Sequence, residues 1–447
     1  MPTPQLRVVL QCKFSGRERC RTNLQDSSLE QSAQEPWNCF AAPTMLPDIK
    51  PFKIAVPDSA IAALKAKLAK AAYPDEVDFS DDWNYGATRN DVKRLAKHWE
   101  DGFDWRAQEQ KLNQLPHYMT KISVDGFEPL DIHFIHQRSS QSNAIPLLFV
   151  HGWPGSFLEA TKILPLLTEP RQGQSFHVIA PSLPNFGFSQ QVRQRGFALR
   201  QYAECMHKVM LQLGYENYVT QGGDWGFFIT RLIALHYPKH CLASHINFPL
   251  VRPPPAKSLW FGLQYLLGQY SHTDKQWLAR TLWYFAEGAG YMMQQSTKPS
   301  TLGFSLADSP VALLGWIYEK LHDWTDDYPW TDDEILTWVS IYQFSTAGPA
   351  ASLRIYYEAY HSRKASFRCT RYVPSVPLGI SYYPKDLFVV PKSWGKCLGP
   401  VVYEATHTHG GHFAALEKPE LFVADLQSMF GEKGGAHGVA QTLSSTV

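Results

Sequence analysis

The spacing of hydrophobic residues changes several times along this chain, and each spacing predicts a different element. Apolar residues recur every three or four positions from Asp58 to Leu68 and again over residues 90–103, which predicts two amphipathic helices. Apolar and polar residues then alternate over residues 118–124 and 130–136 around an Asp-Gly turn. That alternation is typical of a β-hairpin.

Farther along, short apolar runs with the length of buried strands alternate with longer segments of helical spacing. The predicted strands are residues 145–150, 176–180, 218–221 and 241–248, and the predicted helices between them are residues 157–167, 199–213 and 227–236. Such alternation is typical of crossover units on a parallel sheet. We therefore predict an α/β core with a mostly parallel sheet and helices on both of its faces.

The segment 252–255, an arginine followed by three prolines, ends this alternation and begins a section rich in aromatic residues at helical spacing, which extends to about Arg371. Strand patterns resume over residues 376–382 and 401–405, and a helix is predicted over residues 419–430. We interpret the section as a helical cap inserted into one core. The predicted parts are a disordered extension (1–44), an N-terminal arm packed on the core (45–120), core segments (121–250 and 371–431), the cap (251–370) and a flexible tail (432–447).

The composition excludes several classes of protein. The 447 residues are 44% hydrophobic and 19% charged with a net charge of +1, which gives no electrostatic reason to expect nucleic acid or an anionic membrane as a partner. No apolar run approaches the roughly 18 to 20 residues of a transmembrane anchor. Seven cysteines without Cys-x-x-Cys spacing indicate neither a disulfide framework nor structural zinc, and they favour a reducing compartment such as the cytoplasm. The sequence leaves open whether two copies of the chain form a homodimer.

The first 44 residues differ from the rest of the chain. Basic residues stand there among Ser, Gln and Asn, without the apolar core of a signal peptide. We predict that this extension is disordered and that Met45 could begin a shorter product, and a targeting role for the extension stays open.

The segment 218–226 carries the most specific chemistry and reads Tyr-Val-Thr-Gln-Gly-Gly-Asp-Trp-Gly. Small residues around a central side chain at a strand-to-helix turn are typical of a nucleophile elbow, and the central residue is Asp224. A carboxylate that attacked an ester or amide would form an anhydride that collapses back. It can displace a leaving group from an sp³ carbon instead, forming an ester that water later hydrolyses. This chemistry narrows the substrate to epoxides or alkyl halides, whereas the other interpretation makes Asp224 a helix cap in a glycine-rich turn.

A second turn directly follows the predicted strand 145–150 and reads His-Gly-Trp-Pro-Gly-Ser over residues 151–156. Where a nucleophile elbow is present, one N–H of this loop and the N–H of the residue after the nucleophile form an oxyanion hole. The candidates are the backbone N–H groups of Trp153 and Trp225, with Pro154 able to constrain the turn through a cis peptide. The alternative is an ordinary tight turn in which Ser156 caps a helix.

Three histidines lie between the last predicted strand and the last predicted helix, in the segment 407–413 that reads His-Thr-His-Gly-Gly-His-Phe. The chain order of nucleophile, acid and histidine places the general base in this loop. We favour His412, because two glycines precede it and an apolar residue that can anchor the loop follows it. A metal site is the other interpretation, but no Cys or carboxylate stands at ligand spacing nearby.

The acid that orients this histidine is expected after the predicted strand 376–382, where the sequence places Asp386. It would fix the tautomer of the imidazole and stabilise its charged form. The rival carboxylates are Glu404 in the last predicted strand and the pairs Asp326-Asp327 and Asp332-Asp333 in the cap. A further position for the acid, at the end of the predicted strand 241–248, is occupied by Asn247, which is not a carboxylate.

Together these motifs resemble the epoxide hydrolases of the microsomal type, including soluble fungal members, in the α/β-hydrolase superfamily. The resemblance covers roughly residues 51–430. It also rests on Trp83-Asn84-Tyr85-Gly86 in the arm and on Gly290-Tyr291-Met292, Thr297-Lys298-Pro299, Ser309-Pro310 and Arg354-Ile355-Tyr356 in the cap. It implies the α/β-hydrolase fold and a cofactor-independent epoxide hydrolase that forms a vicinal diol. Two departures are a polar extension in place of a membrane-anchoring helix and Asp in place of the frequent Glu as the acid.

The resemblance further implies two cap tyrosines that protonate the epoxide oxygen as the ring opens, at Tyr291 and Tyr356. Tyr284 is an alternative to the first and Tyr357 to the second. A haloalkane dehalogenase and a non-catalytic small-molecule receptor are the alternative functions. An apolar pocket for a lipophilic epoxide, or else simply the core of the cap, is indicated by the aromatic residues Trp260, Phe261, Tyr265, Trp277, Trp283, Tyr284, Phe285 and Trp316.

Overall fold

The architecture is built on one nine-stranded sheet, seen in a computed structural model that describes residues 48–251 and 253–445. The sequence predictions for residues 1–44 lie outside the described residues. The strands are β1 (Ile49–Pro51), β2 (His117–Ile122), β3 (Leu130–Gln137), β4 (Ile145–Val150), β5 (Phe176–Pro181), β6 (Tyr218–Gly222), β7 (Cys241–Ile246), β8 (Leu378–Tyr382) and β9 (Val401–Thr406).

The strand order places all the candidate chemistry at one edge of the sheet. The order is β1-β2-β3-β5-β4-β6-β7-β8-β9, with antiparallel pairing from β1 to β5 and parallel pairing from β5 to β9. Of the parallel strands, β4, β5 and β8 are buried along their whole length and mostly apolar, as expected of strands covered on both faces. Because parallel strands end at the same edge, the loops that follow β4, β6, β7, β8 and β9 converge there.

The helices lie in the arm, the two core segments and the cap. The arm contains α1 (Asp58–Leu68), α2 (Arg89–Asp101) and α3 (Trp105–Leu112), and the first core segment contains α4 (Leu164–Thr168), α5 (Leu199–Gln212) and α6 (Asp224–His236). The cap contains α7 (Pro255–Leu266), α8 (His272–Trp283), α9 (Gly290–Thr297), α10 (Pro299–Asp308), α11 (Pro310–Asp323), α12 (Asp332–Gln343), α13 (Arg354–His361) and α14 (Arg363–Ser366). The second core segment contains α15 (Lys392–Gly395), α16 (Ala414–Glu417), α17 (Pro419–Phe430) and α18 (His437–Ser444).

Three elements differ from the sequence predictions. The single helix predicted over residues 157–167 is a 3₁₀ turn, Phe157–Ala160, followed by α4 with a proline in its first turn, because a proline cannot continue a preceding helix. The short helix α3 is not predicted, since Glu109 occupies a buried position of its apolar face and accepts a bond from the backbone N–H of Val56 at 2.7 Å. The prediction of a flexible tail is wrong for His437–Ser444, because these residues form α18 and bury Leu443 completely.

The arm belongs to the sheet as well as packing on the cap. Strand β1 forms the outermost strand by pairing with β2, so the predicted arm boundary at residue 120 falls inside a strand. The indole of Trp83 stacks on the ring of His322 in α11 at 3.5 Å, and the indole N–H of Trp99 donates to Ser340 in α12. The arm therefore holds two cap helices against the core.

A buried arginine connects the helix that begins at Asp224 with the point where the chain leaves the cap. The guanidinium of Arg231 in α6 donates to the carbonyls of Cys369 at 3.2 Å, Arg371 at 3.0 Å and Leu398. Burial lowers the pKa of Arg231 to about 10, which leaves it charged at neutral pH. The planar fork of arginine can serve three carbonyls at once.

Arg231→Lys should lower the free energy of unfolding by about 3 kcal/mol, because the compact ammonium group of lysine cannot reach all three carbonyls and buried acceptors are left unsatisfied. Urea titration followed by tryptophan fluorescence measures this change. The matched control is Arg195→Lys at an exposed position, expected within about 0.5 kcal/mol of the wild type. A stability of Arg231→Lys equal to that of the control would contradict the connecting role.

Within residues 48–251 and 253–445, no helix combines the length and the apolar content that a membrane span requires.

Candidate active site

The turn between β6 and α6 is a strained elbow with Asp224 at its centre. Asp224 has a φ of 47°, which is rare for a residue other than glycine. A Cβ at Gly222 would collide with the carbonyl of Gly226, and a Cβ at Gly226 would collide with the carbonyl of Val150. Both positions therefore require glycine, and together they allow the Asp224 side chain to project from the end of the strand.

Backbone N–H groups bind the Asp224 carboxylate from two sides. The N–H of Trp153 donates to Oδ1 at 2.8 Å, and the N–H of Trp225 donates to the same carboxylate. The pairing of Val150 with Gly222 aligns the ends of β4 and β6 and so brings the two loops together. Burial raises the pKa of Asp224, while the charge of His412 and the two N–H bonds oppose that rise. The Trp153-Pro154 peptide is cis, as the sequence allowed.

The histidine loop brings His412 between Asp386 and Asp224. The Nδ1 atom of His412 lies 2.7 Å from Oδ1 of Asp386, which also accepts the N–H of Leu387. On the other side of the ring, Nε2 lies 3.8 Å from Oδ2 of Asp224. Burial alone would lower the pKa of His412, but the carboxylates of Asp386, Asp224 and Glu159 outweigh it and raise this pKa to about 9.

A glutamate that the sequence reasoning missed holds the histidine loop in place. The carboxylate of Glu417 accepts the N–H groups of Asp326 at 2.8 Å, Gly411 at 3.0 Å and Phe413 at 3.0 Å. The N–H of His412 itself donates to the carbonyl of Trp324 in the cap at 2.8 Å. Burial raises the pKa of Glu417 to about 7. Cap and core thus fix the position of the imidazole together.

The rival residues lie elsewhere. The Nε2 atom of His407 lies 2.7 Å from Oδ2 of Asp425, and His409 is exposed. Glu404 lies in β9, where its carboxylate accepts the hydroxyl of Tyr382 at 3.5 Å. Among the residues that the structure describes, no three His, Cys, Asp or Glu side chains gather as a metal site.

Two of the candidate tyrosines face the elbow from the cap. Tyr291 in α9 stacks on the indole of Trp153 at 5.1 Å, and Tyr356 in α13 packs edge-on against Trp225 at 4.7 Å, with 5.9 Å between the two phenol rings. The hydroxyl of Tyr356 is buried and interacts with the side chains of Trp225 and Tyr291, but no well-aligned hydrogen bond satisfies it within the described part of the chain. Burial raises the pKa of both phenols well above 10, so both hold their protons.

The alternative tyrosines are placed differently from each other. The hydroxyl of Tyr284 lies 2.9 Å from that of Tyr291, so it adjoins the site behind the first tyrosine. Tyr357 stacks on His361 at 3.9 Å on another side of α13. The ammonium group of Lys320, which sequence reasoning also missed, lies over the Tyr291 ring at 4.8 Å and fixes its far face.

The aromatic residues that indicated an apolar pocket mostly lie away from the elbow. Trp260, Tyr265 and Phe285 are each at least half exposed. Phe261 stacks on Trp394 and Trp277 on Tyr382, joining the cap to the second core segment. The aromatic surface beside Asp224 comes instead from core residues, such as Trp153 and Trp225, and from the cap tyrosines.

Comparison with known proteins first gives the class of protein. The alpha/beta hydrolase fold profile matches residues 145–292, which include the loop 151–156 and the elbow at Asp224. The profile described as the epoxide hydrolase N terminus matches residues 49–160, covering the arm and β1 to β4.

Similarity to individual relatives identifies the family to which the chain belongs. The chain is 36% identical over 424 residues to "Epoxide hydrolase 1" of Sus scrofa, covering 88% of this chain and 92% of the relative. It is similar to the structure of Aspergillus niger epoxide hydrolase (34% identity, TM-score 0.74, 86% and 95% of the two chains covered). It is also similar to juvenile hormone epoxide hydrolase of the silkworm Bombyx mori (29% identity, TM-score 0.79, 89% and 96% covered). The chain belongs to the epoxide hydrolase family and has the α/β-hydrolase fold.

Family membership also decides between an enzyme and a non-catalytic receptor. The relatives are named as hydrolases, so the chain is an enzyme that hydrolyses epoxides, and the non-catalytic receptor has no support.

Proposed function

We propose that this enzyme converts a lipophilic epoxide to a vicinal diol through a covalent ester at Asp224. The observation that carries the proposal is the placement of the Asp224 carboxylate. Two backbone N–H groups bind it, Nε2 of His412 lies 3.8 Å from its Oδ2, and two protonated phenols stand in the cap above it. These are the donors and acceptors that the two half-reactions require.

In the first half-reaction Asp224 is the nucleophile. A carboxylate oxygen forms a bond to one epoxide carbon while the bond from that carbon to the ring oxygen breaks, and Tyr291 or Tyr356 gives its proton to the oxygen. A phenol suits this task because the alkoxide is a poor leaving group and the buried phenols keep their protons at neutral pH. The product is a hydroxyalkyl ester of Asp224, and the phenolate recovers a proton from solvent.

In the second half-reaction His412 removes a proton from water, and the hydroxide attacks the carboxyl carbon of Asp224. The oxyanion that forms is bound by the N–H groups of Trp153 and Trp225, and Asp386 stabilises the imidazolium. When this intermediate collapses, the oxygen that joined Asp224 to the substrate leaves with the diol and takes the proton from His412.

The charge of His412 links the two steps. In the free enzyme its pKa is raised to about 9 in part by the negative charge of Asp224. Ester formation removes that charge, so the pKa of His412 falls and the ring can act as a base at neutral pH. The imidazole therefore becomes a base only after the ester has formed.

The surroundings of the site support an uncharged, lipophilic substrate. Indole and phenol rings line the approach to Asp224, and such substrates need no electrostatic steering. The free, buried thiols of Cys205, Cys241, Cys369 and Cys397 are compatible with a reducing compartment such as the cytoplasm.

The covalent step is tested by a single turnover in oxygen-18 water with enzyme in excess of epoxide. We expect one labelled oxygen in the peptide that contains Asp224 and an unlabelled diol, because water attacks the carboxyl carbon and the original carboxylate oxygen leaves. Mass spectrometry of the digested protein measures both products. The peptide that contains Asp386 serves as the internal control and should stay unlabelled. Label found only in the diol would show direct attack of water on the epoxide and would contradict the covalent mechanism.

Displacement of halide is a second candidate, and one observation favours it. The indole Nε1–H of Trp225, next to the nucleophile, is buried without a well-aligned hydrogen bond among the described residues, and such an N–H can bind a halide ion. The protonated tyrosine pair fits an alkoxide better. Chloride release from a chloroalkane, measured beside diol formation from the matching epoxide, separates the two candidates.

A further inference from the structure

A small polar cavity lies beside Asp224 and is separate from the tyrosines. Its polar lining consists of Glu159, Gln221, Asp224, Asn247 and His412. The space open to the centre of a water molecule is about 10 Å³, which is about what one water needs. Neither Tyr291 nor Tyr356 lines it. The cavity therefore adjoins the groups that the second half-reaction uses, and of the ring-opening groups it adjoins Asp224 but not the tyrosines.

The Glu159 side chain is held at this cavity by the loop of residues 151–156 that follows β4. Its carboxyl accepts the backbone N–H groups of Gly152 and Ser156. A Cβ on Gly155 would overlap its Oε1 atom, so residue 155 must be glycine for the carboxyl to take this position. Burial raises the pKa of Glu159 to about 8, the charge of Asp224 adds to this rise, and the charge of His412 opposes it. Glu159 thus interacts electrostatically with both residues that the ester hydrolysis uses.

The separation of His412 and Asp224 leaves Nε2 free to bind a water in the cavity. Nε2 and Oδ2 are 3.8 Å apart, which is too long for a direct hydrogen bond, and both residues line the cavity. A water attacking the carboxyl carbon needs acceptors for both of its hydrogens, so that a lone pair faces the carbon. His412 supplies one acceptor, and a Glu159 carboxyl oxygen is available as the second.

We propose that Glu159 binds the hydrolytic water together with His412 and orients its lone pair toward the carboxyl carbon of Asp224. The inference rests on the proposed covalent function. His412 takes the proton that leaves, while Glu159 accepts a hydrogen bond from the other O–H and ends the step in the protonation state in which it began. Glu159 acts only after the ester has formed, and it has no part in ring opening.

Glu159→Gln provides a direct test, because the amide has the same shape but only one acceptor atom. Ester formation removes the Asp224 charge that helps raise the pKa of Glu159 and so favours the carboxylate, which accepts through both oxygens. We expect the rate constant of ester hydrolysis to fall about tenfold to a hundredfold, since misplacing a reacting group by about 1 Å has an effect of that size. The rate constant of ester formation should stay within about twofold. Rapid-quench mass spectrometry of the Asp224 peptide measures both constants, and accumulation of ester should lower KM together with kcat.

Gly155→Ala changes the same geometry without altering the carboxyl group. The added methyl group displaces the end of the Glu159 side chain, so the same selective slowing of hydrolysis is expected. The matched control is Glu204→Gln, a buried carboxyl that binds Lys208 and the N–H of Asp125, and both of its rate constants should equal those of the wild type.

Two results would overturn the role of Glu159. One is hydrolysis within about twofold of the wild type in both Glu159→Gln and Gly155→Ala. The other is an equal slowing of ester formation and hydrolysis in folded protein, which would indicate a general disturbance of the loop. Failure of the proposed function looks different, because the wild-type enzyme would then form no ester at all.

Discussion

His412→Gln should stop turnover while leaving ring opening intact, so that each enzyme molecule consumes one epoxide and keeps it as an ester. Glutamine can occupy the loop but cannot accept the proton of the attacking water. General bases contribute roughly 10²- to 10⁴-fold, and we expect a loss of kcat of about 10³-fold. Intact-protein mass spectrometry should show the mass of one added epoxide in nearly all molecules.

The neighbouring histidines provide controls for this experiment. His409 is exposed, and His409→Gln should turn over as the wild type does. His407→Gln should reduce stability through the lost bond to Asp425 but should not accumulate ester. Equal accumulation in His407→Gln or His409→Gln would assign the base to another histidine. Failure of His412→Gln to accumulate ester would show that this ring is needed for ring opening as well.

The double variant Tyr291→Phe with Tyr356→Phe should lose ring opening, with kcat/KM reduced at least about 10³-fold and no ester formed. Without a proton donor the alkoxide must leave as the free anion. Tyr284→Phe should have a much smaller effect, because its hydroxyl contacts Tyr291 and not the elbow, and Tyr357→Phe should have none. Single-turnover assays with excess enzyme measure the first step directly. Activity near the wild-type level in the double variant would place the acid elsewhere.

Stability gives an independent measure of the role of Tyr356. Its hydroxyl is buried without a well-aligned hydrogen bond in the described residues, so Tyr356→Phe removes a poorly satisfied polar group. We expect this variant to unfold at the same or a higher temperature than the wild type while it loses activity. A hydroxyl kept at the expense of stability is typical of a group retained for function. A clear fall in the unfolding temperature would indicate a structural role instead.

Much of the fold could be predicted because its signals are local. Residues 145–150 form an uninterrupted apolar run, and the structure buries every one of them as β4. The strand β1 could not be predicted, since three residues carry no periodicity and their pairing partner in β2 lies nearly seventy positions away. The helix α18 was missed for a related reason, because it packs on α17 through single apolar residues and not through a continuous stripe.

The site residues also divide into those with a local sequence signal and those without one. Asp224 and His412 stand in glycine-rich turns whose local sequence is distinctive, and the structure brings them together with Asp386, Trp153, Trp225, Tyr291 and Tyr356. Glu159 and Glu417 gave no signal, since an isolated glutamate in a helix resembles a solvated surface residue. Their roles depend on backbone N–H groups that point at them, and those directions exist only in the folded chain.

The length of the cap has a consequence for folding. Strands β7 and β8 lie side by side, although about 130 residues separate them along the chain. The entropy lost on closing a loop rises only with the logarithm of its length, by about 0.6 kcal/mol for each doubling. A connection of this size is therefore only about 2 kcal/mol less favourable than one of 16 residues. The sheet can therefore accept large changes in the parts of this insertion that do not carry Tyr291, Tyr356 and Trp324, so substrate range can diverge while the hydrolytic centre keeps its geometry.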